Sequence, residues 1–236
     1  MGAYRKSTEM VYSDVDSRTT PISDEDKAIL KNGSNGYFQT ANAFMINKAI
    51  RQSQKERIPL VDALEYQYRQ YGYSTQQSEE KAQKALKVID AMDRNMHPLD
   101  RDINVVRMTT NKWLRTLLQK IGAYDSELKN VSTDFLHNIV SKRLDKINNI
   151  LSKNDVTYYD QAFNSATYNL KMDDQAFNGR PVRIEYVGTK GTNAMFSPTG
   201  KESEVVFDRK SGLNIERMAW DDDKYQLVVY ARTTKK

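Results

Sequence analysis

Apolar residues recur at helical spacing through the first hundred positions and at alternate positions after Asp155, and this change of period limits the fold more than any other feature of the chain. A side chain every 3.6 residues lines one face of a helix, whereas alternate positions line one face of a strand, so the two stretches must form different layers around one core. In the first stretch Ala43, Phe44, Ile46 and Ile50 fit a helix. Leu60, Val61 and Leu64, then Ala82, Ala85, Leu86, Ile89 and Met92, repeat the pattern. Ser23-Asp24-Glu25-Asp26 ahead of Ile29 and Leu30 is a helix start, an N-cap followed by an acidic first turn. Asn32-Gly33-Ser34-Asn35-Gly36 reads as a turn.

The texture changes at Pro98-Leu99. Ile103-Asn104-Val105-Val106-Arg107-Met108 reads as a strand, and Trp113, Leu114, Leu117, Leu118 and Ile121 mark a helix ended by Gly122. Leu136, Val140, Leu144, Ile147 and Leu151 lie along one stripe of a further helix. Beyond Asp155, Val182, Ile184 and Tyr186 alternate, as do Tyr225, Leu227, Val229 and Ala231. Shorter strands are expected at Val205-Val206-Phe207 and Leu213–Ile215, between turns at Pro198-Thr199-Gly200 and Ser211-Gly212. The expected class is α+β. Residues 1–24, polar and without periodicity, form a loose arm, 25–100 a helical subdomain and 101–236 a β-rich core, all within a single domain.

Composition removes several classes of function. No apolar run approaches the roughly 20 residues that a membrane-spanning helix needs. The opening Met1-Gly2-Ala3-Tyr4-Arg5-Lys6 lacks the apolar stretch of a cleaved secretory signal, and Lys6 breaks the myristoylation pattern. The absence of cysteine excludes disulfides and thiolate chemistry, and the two histidines, His97 and His137, fall on different expected elements, which argues against a zinc site. The net charge of +5 is uneven: residues 1–100 carry 14 basic and 14 acidic side chains, and residues 101–236 carry 22 and 17. A basic half suits an anionic ligand, a nucleotide or nucleic acid among them, although solvated surface lysines give the same count.

Generic catalytic motifs are missing, but three local features remain in the second half. Arg107 sits inside the apolar strand and must set its guanidinium against an anion, whether a phosphate or a structural carboxylate. Ala162-Phe163-Asn164-Ser165-Ala166-Thr167 follows the β-rich Val156–Tyr159; its hydroxyls can orient a carboxylate, or simply cap a helix. Downstream, Phe177-Asn178-Gly179-Arg180 puts an aromatic face and a guanidinium on one turn. Glu202-Ser203-Glu204 enters the strand at Val205, and if the strand extends through it both carboxylates share one face.

The order of these features resembles the arginine-specific branch of the mono-ADP-ribosyltransferase toxins and effectors, which includes the actin-modifying binary toxins and related bacterial and phage enzymes. The resemblance covers about residues 35–232. Phe44-Met45-Ile46-Asn47-Lys48-Ala49-Ile50-Arg51 is similar to that family's helical segment beside the nicotinamide pocket, and Ile89-Asp90-Ala91-Met92 leads into Arg107 as in relatives. Ser165-Ala166-Thr167 stands where the family has Ser-Thr-Ser, and Met108 where glycine or a second arginine is frequent. Phe196 is the nearest aromatic before Glu202, and Val131-Ser132-Thr133 is a local match better explained as a helix cap.

The resemblance implies an ADP-ribosyltransferase fold, an N-terminal helical layer packed on a mixed or antiparallel two-sheet β-sandwich. It implies NAD⁺ as substrate, no metal, and a target protein bearing an acceptor arginine as partner, met in the cytoplasm of a host cell, with the enzyme itself a monomer. Glu204 would be the catalytic glutamate, Glu202 the acid that serves the acceptor, and Ser165 the brace for Glu204. Arg107 and Arg180 would hold the NAD⁺ phosphates, and Phe177, Asn47 and Thr167 would line the dinucleotide. Two other readings keep the residues but change the function. The acceptor could be a nucleic acid, a small molecule or water, or the chain could be a basic, non-catalytic binding module.

Overall fold

The computed structural model describes residues 22–32, 35–38, 40–168, 180–197 and 203–234. Four helices come first: α1 (Asp24–Lys31), α2 (Thr40–Glu56), α3 (Leu60–Gln70) and α4 (Thr75–Arg94). The Ser23 hydroxyl accepts from Asp26 N at 3.1 Å, the cap that the sequence announces. Asp26 itself is buried and takes Arg94 Nη2 at 2.6 Å and Asn95 Nδ2 at 2.8 Å, which ties the start of α1 to the end of α4. The Arg94 hydrogen bond, against the opposing effect of burial, holds its carboxyl below the usual carboxylate range. Ser74 and Gln77 cap α4 reciprocally through side chain and backbone.

After β1 (His97–Pro98) and β2 (Ile103–Thr109) come α5 (Asn111–Lys120), α6 (Ser126–Lys129), a 3₁₀ turn (Thr133–Phe135), α7 (Leu136–Ser141) and α8 (Leu144–Lys153). The stripe from Leu136 to Leu151 is thus divided between two helices, where the sequence suggests one. The break falls at Arg143, whose guanidinium is drawn to Asp125 at 3.0 Å and also meets Glu127. Val131-Ser132-Thr133 precedes the 3₁₀ turn as expected, but the Ser132 side chain makes no cap hydrogen bond.

The remaining strands are β3 (Thr157–Tyr159), β4 (Asn164–Thr167), β5 (Val182–Gly188), β6 (Asn193–Phe196), β7 (Glu204–Phe207), β8 (Gly212–Asp221) and β9 (Gln226–Thr234). They make one mixed sheet in the order β1-β6-β7-β4-β2-β5-β9-β8-β3, in which only β5 and β9 run parallel. The two sheets expected from the sequence are two limbs of this array, β1-β6-β7-β4 and β2-β5-β9-β8-β3. A single residue pair, Val106 with Thr167, links them.

Alternation decides what each limb faces. Ala166, Phe196, Val205 and Phe207 from the first limb share one core with Val105, Ile184, Tyr186 and Val229 from the second, and α5, α7 and α8 add Leu114, Val140 and Ile147. The opposite face of the first limb carries Val206 and Met195, which join Phe163 and the helical layer (Leu30, Ile46, Ile50, Leu64, Met92) in a second core. At about 1.5–3 kcal/mol for each fully buried apolar side chain, Phe163, Met195 and Val206 hold the helices against this face. Ser165, Thr167 and Glu204 lie on that same face, because Ser165 pairs with Val206 and Thr167 with Glu204 across the β4–β7 ladder. The first limb therefore presents the small hydroxyls and Glu204 to the helical layer.

Candidate active site

The part of the site that comes from the helical layer begins with a turn. Gly36 follows α1 so closely that a Cβ there would lie 2.4 Å from the Leu30 carbonyl oxygen, so only glycine fits. Asn42 Nδ2 donates to the Asn35 and Gly36 carbonyls, and its own oxygen accepts from the Tyr68 hydroxyl at 2.6 Å. This clamp delivers Tyr37, 1% exposed, edge-on to Phe163 and Phe38 with centroids 5.6 Å away in each case. Its hydroxyl accepts from Asn47 Nδ2 at 3.0 Å, with Ser165, Glu204 and Arg107 near enough to act on it. Burial above all, with Glu204 adding to it, raises the phenol to about 12, so it stays protonated.

α2 contributes Asn47 and, one turn on, Arg51. The Asn47 oxygen accepts from Phe163 N at 3.1 Å, so its amide joins α2 to both Tyr37 and the entry to β4. Arg51 grips Asp160 with Nε and Nη2 at 2.8 Å each. Asp160 is buried, which alone would raise its pKa. Arg51, then the field of Arg107, then a hydrogen bond from Ala162 N outweigh burial and lower it below the usual range.

β2 supplies Arg107, half-buried on the face that carries Ile103 and Val105. Its Nη1 donates to the buried Asn164 Oδ1 at 2.5 Å, across the junction of the two limbs. Arg180 lies near enough that desolvation of its guanidinium and repulsion from Arg107 both lower its proton affinity, and its Nη1 donates to the Met108 carbonyl at 3.1 Å. Two guanidiniums held near each other at the limb junction, with Arg51 acting on the same Asp160 as Arg107, make a cationic corner suited to a diphosphate.

β7 starts at Glu204, half-buried at its first position. Ser203 before it has φ +46°, in the left-handed region that L residues seldom occupy. Its carbonyl accepts from the Thr167 hydroxyl at 3.3 Å and from Tyr168 N at 3.0 Å. The described strand begins at Glu204, directly after this left-handed residue. Glu202 and Phe177 lie outside the described residues.

Of the residues expected from the sequence, Asn47, Ser165 and Glu204 lie around Tyr37 with Arg107 within electrostatic reach, and Arg180 lies beside Arg107. Ser165 and Glu204 are diagonal neighbours on one face of the β4–β7 pair. The Thr167 hydroxyl donates to the Ser203 carbonyl. Phe196 is buried in the core against Tyr168, with centroids 5.9 Å apart, so it is packing and not a target-facing aromatic. Sequence reading missed Tyr37, Asp160 and Asn164. Only the glycine turn before Tyr37 marks that residue in the sequence; the other two are ordinary polar residues near a strand.

A family model for ADP-ribosyltransferase exoenzymes matches residues 11–236. This chain belongs to that family. The ADP-ribosyltransferase is similar in fold to the C3 exoenzyme of Clostridium limosum, with a TM-score of 0.58, 14% identity, and 98% of this chain and 94% of that one covered. Plx2a, an ADP-ribosyltransferase toxin of Paenibacillus larvae, gives 0.53 at 18% identity over 98% and 94%. BECa, the ADP-ribosylating toxin of a binary enterotoxin of C. perfringens, solved with NADH, gives 0.53 at 15% identity and covers 98% of this chain but 47% of its own. At these identities the likeness is one of fold. No curated protein sequence matches. As an ADP-ribosyltransferase the protein uses NAD⁺ as its substrate. Among the described residues no group of three or more His, Cys, Asp or Glu could hold a metal ion, and no helix is long and apolar enough to cross a membrane.

Proposed function

We propose that this ADP-ribosyltransferase transfers ADP-ribose from NAD⁺ to an arginine of a target protein, in the cytoplasm of the cell it acts on. The observation that carries the reading is the arrangement of Glu204 beside Ser165 on one strand face, with Arg107 and Arg180 held together at the adjoining limb junction. The arginines neutralise and fold the pyrophosphate, which leaves the nicotinamide–ribose bond directed at Glu204.

As that bond breaks, its electron pair neutralises the pyridinium and nicotinamide leaves. Positive charge then grows on the ribose, and a carboxylate held at the 2′-hydroxyl stabilises it more than it stabilises NAD⁺. A guanidinium nitrogen of the acceptor forms the new bond to C1′ and gives up a proton, since arginine starts fully protonated. Glu202, one residue beyond Ser203 from Glu204, supplies a carboxylate to receive it, and this Glu-x-Glu spacing is what supports arginine as the acceptor.

The test is incubation with labelled NAD⁺ and agmatine, an arginine analogue, alongside Glu204→Gln. Labelled agmatine in the wild type and a loss of 10²-fold or more in Glu204→Gln are expected, by analogy with removal of one oriented electrostatic contact. Nicotinamide release without labelled agmatine or protein arginine would replace the acceptor with another nucleophile. Near-normal turnover in Glu204→Gln would remove the site assignment.

A further inference from the structure

β4 is four residues long, and its alternation points Asn164 and Ser165 to opposite faces. Ser165 faces the helical layer, whereas Asn164 stands on the face of Ala166, toward the second limb and Arg107. Asn164 is 7% exposed, and a buried amide is unfavourable unless its polar atoms are matched. Both are matched, and in one orientation. The Arg107 guanidinium can only donate, so the atom 2.5 Å from its Nη1 is the amide oxygen. Nδ2 then turns to the Ala162 carbonyl at 3.4 Å, and Ala162 N donates to Asp160 Oδ1 at 3.1 Å. Asp160 is in turn gripped through both oxygens by Arg51 of α2.

This arrangement sets a neutral acceptor against Arg107 and keeps the nearby carboxylate occupied elsewhere. Asp160 lies close enough for the two charges to act on each other, yet its oxygens go to Arg51 and to a backbone N–H. A carboxylate paired directly with Arg107 would orient it equally well but would cancel the charge that a phosphate needs. We propose that Asn164 is a positioning residue for NAD⁺: its amide oxygen aims the Arg107 guanidinium while leaving the full positive charge for the pyrophosphate. The proposal rests on the reading of Arg107 as a phosphate-binding residue given above, and adds what fixes its direction. The contact takes one of five N–H groups on a planar fork, so holding Nη1 constrains where the others point.

The experiment is calorimetric titration of the full chain with NAD⁺ and with ADP-ribose, which keeps the pyrophosphate and lacks nicotinamide, alongside steady-state nicotinamide release. Asn164→Asp keeps the shape and adds a charge, whereas Asn164→Ala removes the contact and leaves Arg107 charged. The Asp variant should weaken both ligands by about tenfold or more and the Ala variant by about three- to tenfold, with KM rising to match and kcat within about threefold. A residue that only filled space would give the reverse order, because Asp is the closer isostere. An Ala variant as harmful as Asp, unchanged affinity in both, or a loss of kcat at unchanged KM would each overturn the proposal. Circular dichroism checks each fold. Should the Asp variant not fold, a cycle of Asn164→Ala with Arg107→Ala decides: losses of ADP-ribose affinity that do not add support the proposal, and additive losses overturn it. Arg107→Ala also separates the two readings. Weakened binding there with normal Asn164 variants sinks the positioning role alone. Unchanged binding there sinks the phosphate assignment and the positioning role with it.

Discussion

The Thr167 hydroxyl donates to the carbonyl of Ser203 at 3.3 Å, and Ser203 is the left-handed residue that turns the chain into Glu204. The contact joins β4 to the start of β7 ahead of their first ladder pair, Thr167 with Glu204. A left-handed conformation at a residue other than glycine costs on the order of 1–2 kcal/mol and persists only where neighbours impose it. Thr167 and Tyr168 are those neighbours. Thr167→Val should keep the packing but free the turn, lowering nicotinamide release several-fold, while Thr167→Ser restores it. The stability change should stay near 1 kcal/mol, the usual size for one hydrogen bond. Equal activity of the Val and Ser variants would show that the turn is held by Tyr168 N–H alone.

Arg107→Lys should weaken NAD⁺ binding by about tenfold or more while the fold is kept. Lysine preserves the charge but loses the planar fork, and it cannot both reach Asn164 as Nη1 does and present a second edge to a phosphate. Calorimetric titration with NAD⁺ reads this directly. Unchanged affinity together with unchanged turnover would leave Arg107 as a structural partner of Asn164.

The fold was legible because periodicity reports burial. The helix start at Ser23, the helices over Leu60 and Ala82, and the strand through Arg107 all rest on which side chains face a core, and the structure places them accordingly. The divided stripe at Arg143 escaped because a long-range ion pair to Asp125, not local propensity, ends the helix. The same distinction governs the site. Arg107 and Glu204 stand out because a charge within or entering an apolar strand demands a partner. Asp160 and Asn164 do not, because their partners, Arg51 and Arg107, lie far away in sequence. Tyr37 looks like any core aromatic until its hydroxyl is followed to Asn47.

Asp160 should make the protein sensitive to acid. Its folded pKa lies below the ordinary value because Arg51 and Arg107 outweigh burial, whereas the unfolded chain titrates near 3.9. The carboxylate therefore adds stability that is fully present above about pH 4 and is lost as pH falls through the depressed folded value. Asp160→Asn should destabilise by about 1–3 kcal/mol at pH 7, less than a fully buried pair because the Arg51 side chain is 43% exposed. In urea unfolding at pH 7 and pH 3 the gap between variant and wild type should narrow at the lower pH. A constant gap would mean that Asp160 acts through packing and not through its charge. Asp26, also lowered, contributes the same trend to both proteins and cancels in the comparison.

The division of labour between Glu202 and Glu204 gives the sharpest test. The Glu-x-Glu spacing offers one carboxylate for the ribose and a second for the acceptor, a division of roles that substitution separates. If Glu202 serves only the acceptor, Glu202→Gln should reduce labelling of agmatine or protein by 10²-fold or more. Slow hydrolysis of NAD⁺ to nicotinamide and ADP-ribose should continue, because Glu204 still stabilises the ribosyl cation and water needs no base to attack it. Both products are followed in one sample, with circular dichroism to confirm the fold. Loss of both in equal proportion would mean that Glu202 also shapes the NAD⁺ step. Retention of both would make it a bystander and argue that the acceptor is not arginine. Ser203→Gly separates geometry from charge: glycine adopts the same φ without strain, so labelling and hydrolysis should both persist, whereas Ser203→Val, strained at φ +46°, should lower both.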